Sequence, residues 1–363
     1  VSARWWRLPP VWVRRAVLAP GIVLLAFVWL PFAAWLAVAV AAIVSFALPG
    51  RMRVTRVIWL AGFYLLWDAA AVVVLAALWV WHGFGFRIRS EASERHHYAV
   101  ARTMLRLLFF QVRWTLRLEI EVQDADLDAI AQGRPIIVVC RHAGPGDSFV
   151  IVDALLNRFS REPAIVLKDT LQWDPAIDIL LNRIPSRFIS PRGVRRPGAP
   201  GGTEAVAGLA RELDGSGALV IFPEGANATP RRRERRIAAL REAGHAELAD
   251  RAEAMPHVMP PHPGGVLAAM EARPDAVVIV VAHTGLERLS TVADVWRELP
   301  VDKRIVLKGW TADPSEIPAD REEREAWLYT WWERVDGWID AHQPEVSGVA
   351  RARESAAEAR RAR

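Results

Sequence analysis

From Ala16 to Leu48 the chain runs 33 residues without a charged side chain, and from Val57 to Trp81 it runs 25 more broken only by Asp68. Each stretch exceeds the roughly 20 residues that an α-helix needs to cross a bilayer. The first is too long for a signal-peptide core and no small-residue cleavage site precedes the second, so the segment is expected to stay in the mature protein. Nine of the 17 tryptophans fall in the first 82 residues, several at segment ends where an indole prefers the headgroup layer. These 82 residues also carry seven arginines against one acid, a net +6, which leaves −1 for the remainder of a chain whose total is +5. The basic excess therefore belongs to the most apolar part of the protein and points to a membrane surface, not to nucleic acid.

Two topologies are open. A two-span hairpin puts both of its ends on one side, with the arginines before residue 16 and at Arg87 and Arg89, but exports Arg51, Arg53 and Arg56 against the positive-inside tendency. The rival keeps all three basic clusters inside, with Pro20, Pro31 and Asp68 marking bends in segments that dip into the membrane and return. At about 1.5 Å per residue the first stretch as one helix is about 50 Å long against a hydrocarbon core of about 30 Å, so bending or tilting is required. Under either arrangement the catalytic side is expected on the cytoplasmic face of the cell membrane.

Residues 1–89 are thus read as a membrane-embedded helical region, 90–345 as the catalytic domain and 346–363 as a polar, disordered tail. From Ser90 to Arg117 apolar residues interleaved with arginines predict an amphipathic helix along the interface. Beyond it, short apolar runs (Leu118 to Val122, Ile136 to Cys140, Ala164 to Leu167, Phe188 to Ser190, Ala218 to Phe222, Ala276 to Ala282) alternate with helical stretches such as Ser148 to Arg158, Pro175 to Asn182 and Thr203 to Leu213. A last helix is expected over Ala319 to Ala341. This rhythm predicts an α/β fold with a mainly parallel central sheet flanked by helices. One cysteine excludes a disulfide framework or a cysteine-rich zinc module.

In open α/β sheets ligands gather beyond the carboxyl ends of strands. After the strand Ile136 to Val139 comes Cys-Arg-His-Ala-Gly-Pro-Gly-Asp-Ser, residues 140–148. Gly144, Pro145 and Gly146 let the chain fold back so that Asp147, opening the next helix, meets His142. A carboxylate on one imidazole nitrogen leaves the other free as a base and stabilises the imidazolium that forms. The bland alternative is a structural turn. Ser148 lacks the Gly-x-Ser-x-Gly setting of a nucleophile elbow, which argues against an acyl-serine route. The second strand end is Ile-Phe-Pro-Glu-Gly-Ala-Asn, residues 221–227, where Glu224 projects at the turn and Gly225 permits a backbone with amides turned inward. Alone, Pro-Glu-Gly is ordinary turn chemistry.

Together, His142-x4-Asp147 and Phe222-Pro-Glu-Gly225 behind an apolar amino-terminal segment resemble the glycerophospholipid acyltransferase family, which includes the lysophosphatidic acid acyltransferases. Val166-Leu-Lys-Asp-Thr-Leu171 and Arg187-Phe-Ile-Ser-Pro-Arg192 look like the family's lysine-bearing strand end and arginine block, and Val277 to Val281 like its final apolar block. The sequence departs from the family at Arg141, where many members have asparagine, in one extra residue before Arg192, and at Ala226-Asn227 in place of Thr-Arg.

The resemblance implies that His142, oriented by Asp147, takes the proton of a glycerol hydroxyl, and that the oxygen attacks the thioester of acyl-CoA or another carrier. The expected acceptor is a lysophospholipid, with 1-acyl-glycerol-3-phosphate giving phosphatidic acid. Lys168 and Arg192 are the candidates for the acceptor phosphate, with Glu224 and Gly225 as further substrate-binding residues. No metal and no cofactor beyond the acyl-CoA co-substrate is expected, and neither is nucleic-acid binding. The alternatives are a related O-acyltransferase acting on another lysolipid or glycolipid and, from a different class, a metal-dependent hydrolase using His142, Asp147, His257, His262 and His283. These histidines lack the short paired spacing of common zinc sites. The run Arg231-Arg-Arg-Glu-Arg-Arg236 reads as a solvated helix face or as a contact for lipid headgroups or the phosphates of CoA.

Overall fold

Seven short segments pair into one sheet: β1 (Glu119–Gln123), β2 (Ile136–Cys140), β3 (Glu162–Lys168), β4 (Ser186–Ile189), β5 (Gly217–Ile221), β6 (Val277–Thr284) and β7 (Arg304–Ala312). They come from a computed structural model that describes residues 8–47, 52–123, 131, 133–144, 146–189, 201–225, 229–286 and 304–342. The order across the sheet is β1-β7-β6-β2-β5-β3-β4, with every neighbouring pair parallel except β6 and β7. The expected mainly parallel α/β sheet is thus present. Strand β7 is the strand the sequence reading lacks. Its buried Ile305, Leu307 and Gly309 alternate with half-exposed Val306, Lys308 and Trp310, so no continuous apolar run announces it.

The central strands β2, β5 and β6 are buried on both faces, and the pleat sorts their side chains into two cores. On the first face Ile137, Val139, Leu219, Val278 and Val280 pack with α7 (Gly202–Glu212), α8 (Pro230–Glu242), α9 (Ala246–Glu253), α10 (Pro263–Ala272) and α11 (Arg321–Ala341). The Trp332 indole, fully buried there, donates to the Met259 carbonyl (3.1 Å). On the second face Ile136, Val138, Val220 and Ile279 meet α4 (Glu91–Leu116) through Tyr98, Leu105 and Phe109, and α5 (Asp147–Asp153) with its continuation to Arg158 through Val150, Ile151 and Leu155. Each aliphatic side chain so buried contributes about 1.5–3 kcal/mol before entropy is counted.

The apolar amino-terminal stretch is helical from Val11 to Ala47: α1 (Val11–Val28) and α2 (Ala34–Ala47) join without a break, followed by α3 (Arg53–Trp81). The helix widens to π-type turns at Arg14–Leu18, shortly before Pro20, and at Trp29–Ala33, which contains Pro31; a proline's missing N–H interrupts the helical ladder at both places. The Trp29 indole lies over Gly62 and Ser45 hydrogen-bonds Thr55 (3.0 Å), so the two apolar stretches run antiparallel as a hairpin.

This hairpin is fastened to the domain along its side. Asp68, buried, accepts the Ala176 N–H (3.0 Å) at the start of α6 (Pro175–Leu181); the Trp67 indole donates to the Met104 carbonyl (2.7 Å); and the Leu75 carbonyl accepts from Arg183 (2.7 Å). Arg14 and Arg15 both reach Asp178, at 3.1 and 3.3 Å. Asp68 is therefore a docking group, and two of the arginines counted as surface charge are in an ion pair with the domain. Helix α4 is the expected amphipathic helix, packed as a layer between sheet and hairpin, with Leu107, Phe110 and Trp114 left exposed toward its carboxyl end. Arg51, Arg192 and the tail 346–363 lie outside the described residues.

Candidate active site

Three adjacent parallel strands, β2, β5 and β3, end on the same edge of the sheet, and β6 ends beside them. The loop after β2 carries His142, and the first residue of α5 is Asp147. His142 Nδ1 lies 3.2 Å from Asp147 Oδ2, and the Gly144 N–H donates to the same oxygen (2.8 Å). Asp147 is 0% exposed and His142 15%, so the carboxylate is sealed beneath a ring that still reaches the surface. With Nδ1 committed to Asp147, Nε2 is the nitrogen left for proton chemistry. The Phe222 ring, after β5, packs against the imidazole at 4.8 Å between centroids.

Burial works against a charge on Asp147, but His283, the bond to His142 and the Gly144 amide outweigh it and hold the carboxyl well below the usual carboxylate range. His283, at the end of β6, is the residue that sequence reasoning placed in the wrong role. Its Nε2 is 3.6 Å from Asp147 Oδ2 and donates to the Arg141 carbonyl (3.2 Å). The available signal was a polar residue closing an apolar strand on the ligand-binding edge. Arg141, where the family commonly has asparagine, is buried and ties the loops together: its guanidinium donates to the carbonyls of His283 (2.8 Å) and His257 (3.0 Å).

Residues 121–284 match the model of the family described as Acyltransferase. This stretch, which holds both strand-end motifs, is thus similar to the acyltransferase family. No curated protein sequence matches it. Among solved structures, the crystal structure of the 1-acyl-sn-glycerophosphate (LPA) acyltransferase PlsC from Thermotoga maritima is similar at 15% identity and a TM-score of 0.47, over 77% of this chain and 96% of that one.

Within the matched stretch Glu224 does not project into the open, as the sequence reading had it; it is 1% exposed and faces the backbone of His142 and Met259. Burial pushes its carboxyl up to about 8; Arg141 opposes this and the Asp147 charge adds to it. Gly225 has φ +68, but its N–H donates to the Phe222 carbonyl (3.0 Å) and closes the turn instead of being turned inward as the sequence reading expects; the Pro223 carbonyl accepts the His262 N–H (2.8 Å). Lys168 closes β3 on the same edge and is exposed. Of the five residues of the hydrolase alternative, His142, Asp147 and His283 meet, but His257 pairs with Asp340 (3.1 Å), and among the described residues no group of three or more His, Cys, Asp or Glu is arranged to hold a metal. An apolar cavity of about 170 Å³ opens between the hairpin, α4 and α5; Trp67, Tyr98, Leu105 and Leu167 line it, with Ser148 and Phe149 directly after Asp147.

Proposed function

We propose that this chain is a membrane-associated O-acyltransferase that moves an acyl group from a thioester donor to the free hydroxyl of a lysophospholipid. The observation that carries the reading is the His142–Asp147 pair at the strand edge of a stretch similar to the acyltransferase family. In the reaction His142 Nε2 takes the hydroxyl proton as the oxygen attacks the thioester carbonyl carbon. The C–S bond then breaks, and the imidazolium returns its proton to the leaving thiolate. Asp147 orients the ring and stabilises the imidazolium between these transfers. Because the thioester is already activated, a placed base and a held acceptor supply most of the catalysis.

The acceptor we favour is 1-acyl-glycerol-3-phosphate, giving phosphatidic acid, with acyl-CoA as donor; Lys168 and Arg192 are assigned to the acceptor phosphate. Glu224, given its burial, is assigned to fixing the loop that carries His142, with Gly225 shaping the same turn. The apolar cavity beside Asp147 suits a lipid chain, and the exposed apolar side of the hairpin, with Leu24, Phe27, Trp35, Ile43 and Phe46, suits the bilayer. Side-on fastening of α3 to α4 supports hairpin segments that dip into one side of the membrane and return, because an upright pair of spans would draw α4 and the sheet into the hydrocarbon. The cytoplasmic face follows from keeping the basic clusters inside.

The test is transfer by purified protein in detergent across a matrix of thioester donors and lysolipids, with products identified by mass spectrometry. His142→Ala is expected to lower turnover by about 10²–10⁴ while the fold is retained. Undiminished turnover in that variant removes the proposed base.

A further inference from the structure

Helix α8 opens with Pro230-Arg-Arg-Arg-Glu-Arg-Arg236, a run that runs against helix physics. Cations in a first turn oppose the helix dipole, and arginines four apart on one face repel. The first turn holds no acid, and the Thr229 side chain makes no capping bond. Part of the run has structural work. Arg233 donates to the carbonyls of Ala252 (2.8 Å), Glu253 (2.9 Å) and Met255 (3.1 Å), Arg236 reaches the Glu224 carbonyl (3.4 Å), and further along Arg241 pairs with Glu253 (2.8 Å) and Asp250 (3.2 Å). Arg231 and Arg235 are exposed on one side of the helix, where the Arg235 Nε donates to the Arg231 carbonyl one turn back (3.2 Å). They place positive charge at the start of the helix that comes after the active-site strand β5.

The position selects the partner. Ile237 seats α8 in the core on the first face of the sheet, whereas the hairpin packs on the second. A bilayer that receives the hairpin therefore does not lie against Arg231 and Arg235, and the anion they face comes from water. We propose that Arg231 and Arg235 bind the phosphates of the nucleotide portion of a coenzyme A thioester, so that the donor arrives from one face of the sheet and the lipid acceptor from the other. The inference rests on the thioester-donor reading above and adds a location for the donor's handle. Guanidinium forks suit phosphate oxygens, and several exposed contacts acting together give an affinity that a single one would not.

The experiment uses the full-length chain in non-ionic detergent and the double variant Arg231→Ala/Arg235→Ala. The donor KM for acyl-CoA and the calorimetric Kd for CoA are expected to rise about tenfold, with the lysolipid KM unchanged. The loss should shrink for dephospho-CoA and as salt is added. Unchanged donor KM and Kd would reduce the run to a solvated helix face. A defect confined to binding of phosphatidylglycerol vesicles would reassign it to headgroups, and transfer from acyl carrier protein by a chain that does not bind CoA would also overturn the proposal. Arginine-dependent CoA binding by wild type that transfers nothing would support this site and overturn the acyltransferase reading instead.

Discussion

His283 Nε2 stands 3.6 Å from Asp147 Oδ2, the oxygen that also holds His142, while its N–H goes to the Arg141 carbonyl at 3.2 Å. The first distance is long for a hydrogen bond but short for electrostatics in a buried site. His283 thereby fixes the loop on one side of the catalytic histidine and supports the charge beneath it. His283→Ala is expected to lower kcat about tenfold with both KM values near wild type, since positioning and not substrate contact is lost. His283→Gln, whose amide can replace Nε2–H toward Arg141, is expected to restore most of the rate. Wild-type kcat in the alanine variant would show that Asp147 is held without this ring.

Glu224 gives the domain a pH dependence of stability with a defined sign. Its carboxyl is raised from an ordinary 4.5 to about 8, so the unfolded chain loses this proton before the folded one does. The contribution is fully present below about 4.5 and declines as pH climbs toward 8, where ionisation must occur inside the protein. Asp147 works in the opposite sense: its contribution holds at neutral pH and is lost only in acid. Glu224→Gln is expected to flatten the profile, being stabilised relative to wild type by a few kcal/mol, roughly, at pH 8 and little changed at pH 5. Denaturant midpoints of both proteins from pH 5 to 9 decide this; parallel curves would contradict it.

Asp178 is the buried anion that locks the hairpin to the domain, with Arg14 and Arg15 on one side and the Asn182 amide (3.0 Å) on the other. Removing one partner of a buried pair strands the other charge. Asp178→Ala is expected to cost about 3–5 kcal/mol and to expose the hairpin–domain junction to protease in detergent. Equal thermal stability and an unchanged cleavage pattern would mean that the apolar contacts alone secure the junction.

Much of this architecture was legible because the central strands are buried on both faces and so appear as continuous apolar runs; Ile136–Cys140 was read to the residue. Strand β7 was not, because its outer face is half-exposed and polar residues interrupt it. The meeting of His142 and Asp147 followed from a glycine-rich turn at a strand end, a local relation. His283 and Arg141 belong to the same cluster through contacts spanning 142 positions, which no local pattern encodes. Arg14 and Asp68 were read as membrane features for the same reason: their partners lie in α6, more than 100 residues away.

Gly285, two residues beyond His283, has φ +101, and a Cβ there would meet the Arg304 carbonyl oxygen at 2.5 Å. Both obstacles are backbone, one the residue's own conformation and the other the start of β7, so no side-chain shift relieves them. Gly285→Ala is expected to destabilise by about 3 kcal/mol. Relief must come from moving the end of β6 away from β7, which carries His283 away from Asp147. Activity per folded molecule should therefore fall together with stability, as it does in His283→Ala. A variant that loses stability but keeps wild-type kcat at low temperature would uncouple the turn from the site, and would show that His283 is held by Arg141 alone.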